Sequence, residues 1–209
     1  RLTRRFGLTL AVVAGVGLLL RLGYVIHLAQ DIVLRGDPLS YHLHGQQISS
    51  GAGYLRAPLY AATGEAVASA WYPPGHPALL ALVDGIGVDS VFGQKAVMAF
   101  VGTGSVVLIG LIARRLSGPK VGLVAAAIAA VSPMLIVADG ALGTETLYML
   151  LVAAVILQLY VMADQDDPRP LRWAALGASV ALVAYTRSEG ILLFVLLVVP
   201  LTFRWPWPW

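Results

Sequence analysis

Long apolar runs alternate with short charged turns along this chain, and that rhythm predicts its elements. The first run extends from about Phe6 to His27, after Arg1, Arg4 and Arg5. Three more cover about Ala96 to Ile112, Val121 to Ala138 and Thr146 to Met162, the third with Pro133 near its far end. Each approaches the roughly 20 residues that a helix needs to cross a hydrocarbon core about 30 Å thick. Arg114-Arg115-Leu116-Ser117-Gly118-Pro119-Lys120 makes a tight basic turn between the second and third runs. Ala163 to Pro170, with three aspartates and two prolines, reads as a solvated loop.

The last apolar region, Leu171 to Trp205, is interrupted by Thr186-Arg187-Ser188-Glu189-Gly190. As one helix it would rise about 52 Å, too far for one span, whereas two arms of about 15 residues would rise about 22 Å each. A hairpin with a polar elbow among other helices fits both lengths. The expectation is therefore an all-α, polytopic transmembrane bundle of about six spans. Residues 28–92 form a long first loop within a single module covering 1–209.

That loop is too long to lack structure of its own. Asp37-Pro38 reads as a helix start, an acid at the N-cap followed by proline, with the helix running to about Ser50 and stopping at Gly51-Ala52-Gly53. Tyr72-Pro73-Pro74-Gly75-His76-Pro77 opens a second short helix, to about Ile86. Both are too short to span and are expected along the membrane surface.

Composition sharpens this picture. Of 209 residues, 58% are hydrophobic and 12% charged, against about 25% charged in an ordinary soluble domain. With no cysteine, disulfides and thiolate metal sites are excluded. The net charge of +3 is carried by basic residues at the ends of apolar runs, which suits membrane topology and not a nucleic-acid-binding face. With the N-terminus cytoplasmic, Arg1, Arg4, Arg5, Arg114, Arg115, Lys120, Arg169, Arg172 and Arg204 all fall inside. The first run then reads as a retained signal anchor. The long loop, the Asp139–Glu145 turn and the Arg187 elbow share the outer face.

Several residues in those three stretches can carry chemistry. Asp37, close after the first span, can act as a general base on a hydroxyl or simply cap the helix beginning at Pro38. Glu145 opens the fourth span, where the helix dipole favours an acid; it either stays there with Thr144 or Asp139 as cap, or faces Asp37 as a second carboxylate sharing a metal or an acceptor. Arg187 and Glu189 interrupt an apolar stretch; they either neutralise each other or present a guanidinium to a lipid phosphate. Arg21, late in the first span, either snorkels to the headgroups or pairs with Asp31, Asp37 or a bound phosphate. His42 and His44 are two apart and do not share a helix face, and no zinc spacing is present. Tyr41, Tyr54, Tyr60, Trp71 and Tyr72 read first as an interfacial aromatic belt and second as a sugar-stacking surface. No Walker or dinucleotide fingerprint occurs.

In order and spacing, the late arginine, Gly36-Asp37 with Tyr41, Gly51-Ala52-Gly53-Tyr54, Tyr72 to Pro77, Ser132-Pro133, Glu145 and Thr186 to Gly190 resemble a known family. It is the polyprenyl-phosphate-dependent membrane glycosyltransferases of the GT-C class, nearest the protein mannosyltransferase and aminoarabinose transferase branch. The resemblance implies transfer from a polyprenyl-phosphate sugar to a protein or glycan acceptor at the outer face of the plasma membrane. It implies Asp37 as the catalytic base or acceptor anchor and Glu145 as a second acid. It implies Arg187 as the donor-phosphate ligand, with Tyr41, Tyr72, His76, Glu189 and Arg21 in the substrate-binding set. Any divalent cation is left open. Members of the family generally carry more spans and often a soluble domain, so the chain is either the N-terminal module of a longer protein or a short relative. Two rival readings use the same residues: a non-catalytic polyprenyl-phosphate-binding subunit or carrier, and an ion-coupled transporter, which would need acids at the bilayer midplane rather than at span ends.

Overall fold

A computed structural model describes residues 2–164 and 169–202. Arg1, the Gln165–Pro168 part of the solvated loop, and Phe203 to Trp209 with Arg204 lie outside the described residues.

The first apolar run forms α1 (Leu2–Tyr24), prolonged by one wider turn, Val25–Ala29. The loop that follows contains α2 (Asp37–Ser49), α3 (Ala57–Thr63) and α4 (Gly75–Gly85). Then come α5 (Val91–Ser117), α6 (Pro119–Val131), α7 (Pro133–Gly140), α8 (Glu145–Ala163) and α9 (Pro170–Thr186), and a closing helical segment, Ser188–Val198. The bounds of α2, α4 and α8 lie within two residues of those read from the sequence. The short helix α3 was not foreseen. The only extended pairing among the described residues is one bridge, Leu55 with Ala68.

Among the described residues three helical stretches are long and apolar enough to cross a bilayer: Arg4–Ala29, Val91–Ser117 and Glu145–Ala163. The pair α6 and α7 together make a fourth candidate, bent by 53° at Ser132-Pro133. Proline cannot continue the hydrogen-bond ladder, so the break falls there. The protein is thus an all-α membrane protein with three to four candidate spans. At 17 residues and with a short closing segment, the last two arms fall below span length. Exposed apolar side chains on the outer faces, among them Leu19, Phe100, Val124 and Ile128, are the surface that lipid would cover.

The helices α1, α5 and α6 meet around Phe6, Leu10, Val106, Ala126 and Ala130, where small residues let the backbones approach closely. At one end of the bundle the Arg114 guanidinium lies over the Phe6 ring, 4.4 Å from its centroid, and Arg115 pairs with Asp164. The amino end of α1 and the carboxyl ends of α5 and α8 therefore share one end. At the other end α2 crosses α4, and Tyr41, Leu80, Met98 and Leu142 join this loop layer to the bundle.

Arg21 departs from the sequence reading. It neither snorkels nor reaches Asp31 or Asp37; it is fully buried and its Nε donates to Asp139 Oδ2 at 2.6 Å. Its Nη1 donates to the Gly17 and Ala130 carbonyls, both at 3.0 Å, and Nη2 to Ala129 O at 3.3 Å. Ala129 O is the acceptor that residue 133 would satisfy in a continuous helix, and Pro133 has no N–H to offer. The guanidinium thus closes the end of α6 that proline leaves open. Asp139 Oδ1 accepts from Thr146 Oγ1 at 2.8 Å, which carries the network into α8. A Cβ built on Gly102 would overlap the Asp139 carboxylate, so only glycine on α5 lets this pair exist.

Lys95 repeats the device. It is fully buried in α5, and its Nζ donates to Ala29 O at 2.8 Å and Ile32 O at 3.4 Å, closing the carboxyl end of the first span.

Removing one member of a buried ion pair leaves an uncompensated charge. Arg21→Met or Asp139→Leu alone is expected to destabilise the fold by about 3–5 kcal/mol. The double replacement should recover much of that loss. Unfolding midpoints of the three variants in detergent measure the coupling.

Candidate active site

The stretches that the sequence singled out converge at the end of the bundle opposite Arg114 and Arg115. Asp37 opens α2, Glu145 opens α8, and Arg187 and Glu189 follow the last turn of α9. These four side chains line one cleft of about 390 Å3, with Tyr41, Tyr72 and Thr144 on its walls. That volume lies in the range of small-ligand sites. Two backbones make the convergence possible. A Cβ on Gly75, at the start of α4, would stand 2.7 Å from the Tyr185 carbonyl oxygen, so the loop layer touches the end of α9 backbone to backbone. On the other side, Thr146 is tied to Asp139, which fixes the first turn of α8.

Asp37 does not cap its helix. Gly36 holds the N-cap position, Asp37 is the first helical residue, and no side-chain cap is made. The carboxylate instead accepts a hydrogen bond from the Tyr72 hydroxyl at 2.7 Å on Oδ1 and remains exposed. The cap reading of Asp37 is thus corrected: glycine ends the loop, which frees the acid for the cleft. Thr144 holds the N-cap position of α8 without a side-chain cap bond, and Asp139 is engaged by Arg21, so neither caps the helix beginning at Glu145.

Glu145 accepts from Arg187 Nη1 at 2.9 Å, and Glu189 accepts from Arg187 Nε at 2.6 Å. Thr144 Oγ1 lies 3.4 Å from the same Nη1, and the guanidinium carbon sits 5.7 Å from the Tyr148 ring centroid. The guanidinium is about one-third exposed, and among the described residues its Nη2 makes no hydrogen bond. Three carboxylates and one guanidinium thus face one cleft. Among the described residues no three His, Asp or Glu side chains converge as metal ligands would.

Tyr41 is buried between Tyr72 and His76, with ring centroids 5.0 Å and 5.3 Å away. Burial, and then the charges of Asp37, Tyr72 and Glu145, push its hydroxyl up to about 12. Tyr72 is raised by burial and by its donation to Asp37. Both phenols stay protonated and serve as hydrogen-bond donors at neutral pH. His76 is fully buried and does not line the cleft; its Nε2 lies 3.3 Å from Leu142 O and its ring supports Tyr41. Arg21 does not line the cleft either, and reaches it only through Asp139 and Thr146.

The chain matches the family model for dolichyl-phosphate-mannose-protein mannosyltransferases over residues 72–209, about two thirds of its length. It belongs to that family. The mannosyltransferase match covers Tyr72, His76, Glu145, Arg187 and Glu189; Arg21, Asp37 and Tyr41 precede it. Family membership makes the chain a membrane glycosyltransferase-like protein, with a lipid-linked sugar donor and an acceptor as its general partners. No curated protein and no solved structure gives a significant match.

Sequence reasoning missed Asp139, Thr144, Thr146, Tyr148 and Lys95 as organising residues of this mannosyltransferase-family chain. A signal existed only for Asp139, an acid ahead of the fourth span; its partner lies 118 positions earlier in the chain.

Burial holds His76 down to about 4, against about 6.5 for an unburied imidazole. Between these values the unfolded chain takes up a proton that folded His76 refuses, so stability falls as pH drops from about 6.5 to about 4, and is unaffected by this group above that window. Unfolding temperatures in detergent should show this slope, and His76→Gln should flatten it.

Proposed function

We propose that the chain moves a sugar from a polyprenyl-phosphate donor to an acceptor hydroxyl, with inversion, at the extracytoplasmic face. The observation that carries this reading is the meeting of Asp37, Glu145 and Arg187, from three distant stretches, in one cleft. In the proposed step Asp37 takes the proton of the acceptor hydroxyl, held in place by the Tyr72 donation to its other lone pairs. The acceptor oxygen attacks the anomeric carbon, the bond from that carbon to the phosphate oxygen breaks, and polyprenyl phosphate leaves with the electron pair. Arg187, oriented by Glu145 and Glu189, keeps its Nη2 hydrogens for the phosphate oxygen on which charge grows. Tyr41 is the neutral donor in the wall.

The orientation rests on the basic residues. Arg4, Arg5, Arg114, Arg115 and Lys120 gather at the end away from the cleft, and that end would be cytoplasmic. The helix α9, about 25 Å long, and the closing segment would then complete a fifth and sixth crossing whose elbow carries Arg187. A plasma-membrane location follows from the same reading.

The test is Asp37→Asn in the full chain. Transfer from a radiolabelled polyprenyl-phosphate sugar should fall by about 10²-fold or more, the worth of a positioned base. Extraction and elution should match wild type. Arg187→Gln should raise KM for the donor. Full transfer by Asp37→Asn would defeat the base assignment. A wild-type chain that binds the lipid phosphate without turnover would instead establish the carrier reading.

A further inference from the structure

A second hollow of about 380 Å3 adjoins the cleft, and Tyr72 lines both. Its other walls include His44, Arg56, Ser69 and Trp71, from α2 and from the extended stretches on either side of α3. Trp71 is 81% exposed, a large aromatic face turned to water. Arg56 is exposed and makes no ion pair among the described residues. His44 is 1% exposed, and its Nε2 is buried with no hydrogen-bond partner.

The histidine organises the wall. Its Nδ1 lies 2.6 Å from the Ser40 carbonyl, which only accepts, so Nδ1 carries the proton. Burial holds the ring below the ordinary histidine range and therefore neutral. Its Nε2 is enclosed and makes no hydrogen bond, and the Leu55 carbonyl is a second backbone acceptor beside the ring. The ring is fixed by stacking on Tyr54 at 4.5 Å and by the edge of Tyr72 at 5.9 Å. Tyr54 in turn donates to the Tyr72 carbonyl at 2.9 Å.

We propose that this hollow is the acceptor subsite and that it takes an anionic saccharide. A sugar ring stacks its C–H face on Trp71, and a carboxylate or phosphate on the saccharide pairs with Arg56, while His44 braces the Tyr54 and Tyr72 rings in the wall behind them. The inference rests on the glycosyltransferase reading for its meaning, since Tyr72 lines both hollows and donates to Asp37. A hydroxyl-bearing peptide offers no sugar face for Trp71 and is the competing outcome.

The test is calorimetric titration of the full chain in detergent with an oligogalacturonate, a neutral oligoglucan and an acidic, serine-rich peptide. The oligogalacturonate should bind more tightly than the other two. Trp71→Ala and Arg56→Gln should each weaken it by about tenfold or more, the scale of one lost stacking or paired contact. Arg35→Gln, another exposed cation outside both hollows, should leave binding as in wild type. No oligogalacturonate binding, binding indifferent to Trp71 and Arg56, or tighter binding of the peptide would each overturn the proposal. Donor turnover by the wild-type chain, followed separately, reports the cleft. Saccharide binding that depends on Trp71 and Arg56 in a chain without turnover would sink the enzyme reading and keep the saccharide site.

Discussion

One buried ion pair holds the membrane part of this protein together. Arg21 and Asp139 sit inside a bundle whose outer faces are apolar, where an unpaired charge would be costly. What makes the pair tolerable is that nearly every polar group in it is used. Four of the five guanidinium N–H groups have acceptors and both carboxylate oxygens have donors. The network joins α1 to α6 and α7 and reaches the first turn of α8. The position of Glu145, one residue before Thr146, is inherited from it.

The same chemistry recurs at a second helix end inside the bundle. A helix end leaves carbonyls without partners, and lipid supplies no donors. At the Pro133 break the donors come from Arg21; at the end of the first span they come from Lys95. Two basic side chains that look like liabilities in an apolar setting are thus consequences of two helix terminations. Neither termination can be removed without losing the loop layer or the turn that leads to the cleft.

The sequence made the first four spans, the loop helices α2 and α4, and the polar stretches of the cleft legible, because each has a local cause: an apolar run, a proline after an acid, a charged interruption; the fifth and sixth expected spans are not among the three to four candidates. What it concealed is pairing across distance. Nothing near Arg21 names Asp139, and nothing near Asp139 announces that glycine at 102 clears its place. The contact that holds Asp37 was also hidden. A local view favours a cap, but Gly36 takes that position and Tyr72, 35 residues on, claims the carboxylate. The short helix α3 was missed because seven residues containing a proline carry little periodic signal.

The backbone contact between Gly75 and Tyr185 has a mechanical consequence. With no side chain on Gly75 to yield, the start of α4 and the end of α9 behave as one unit on that side of the cleft. Any tilt of α9 would carry the start of α4 with it, and the Tyr72 wall along with Arg187. The spacing between Tyr72 and Arg187 would then change little, even where the distance to Glu145 on α8 does.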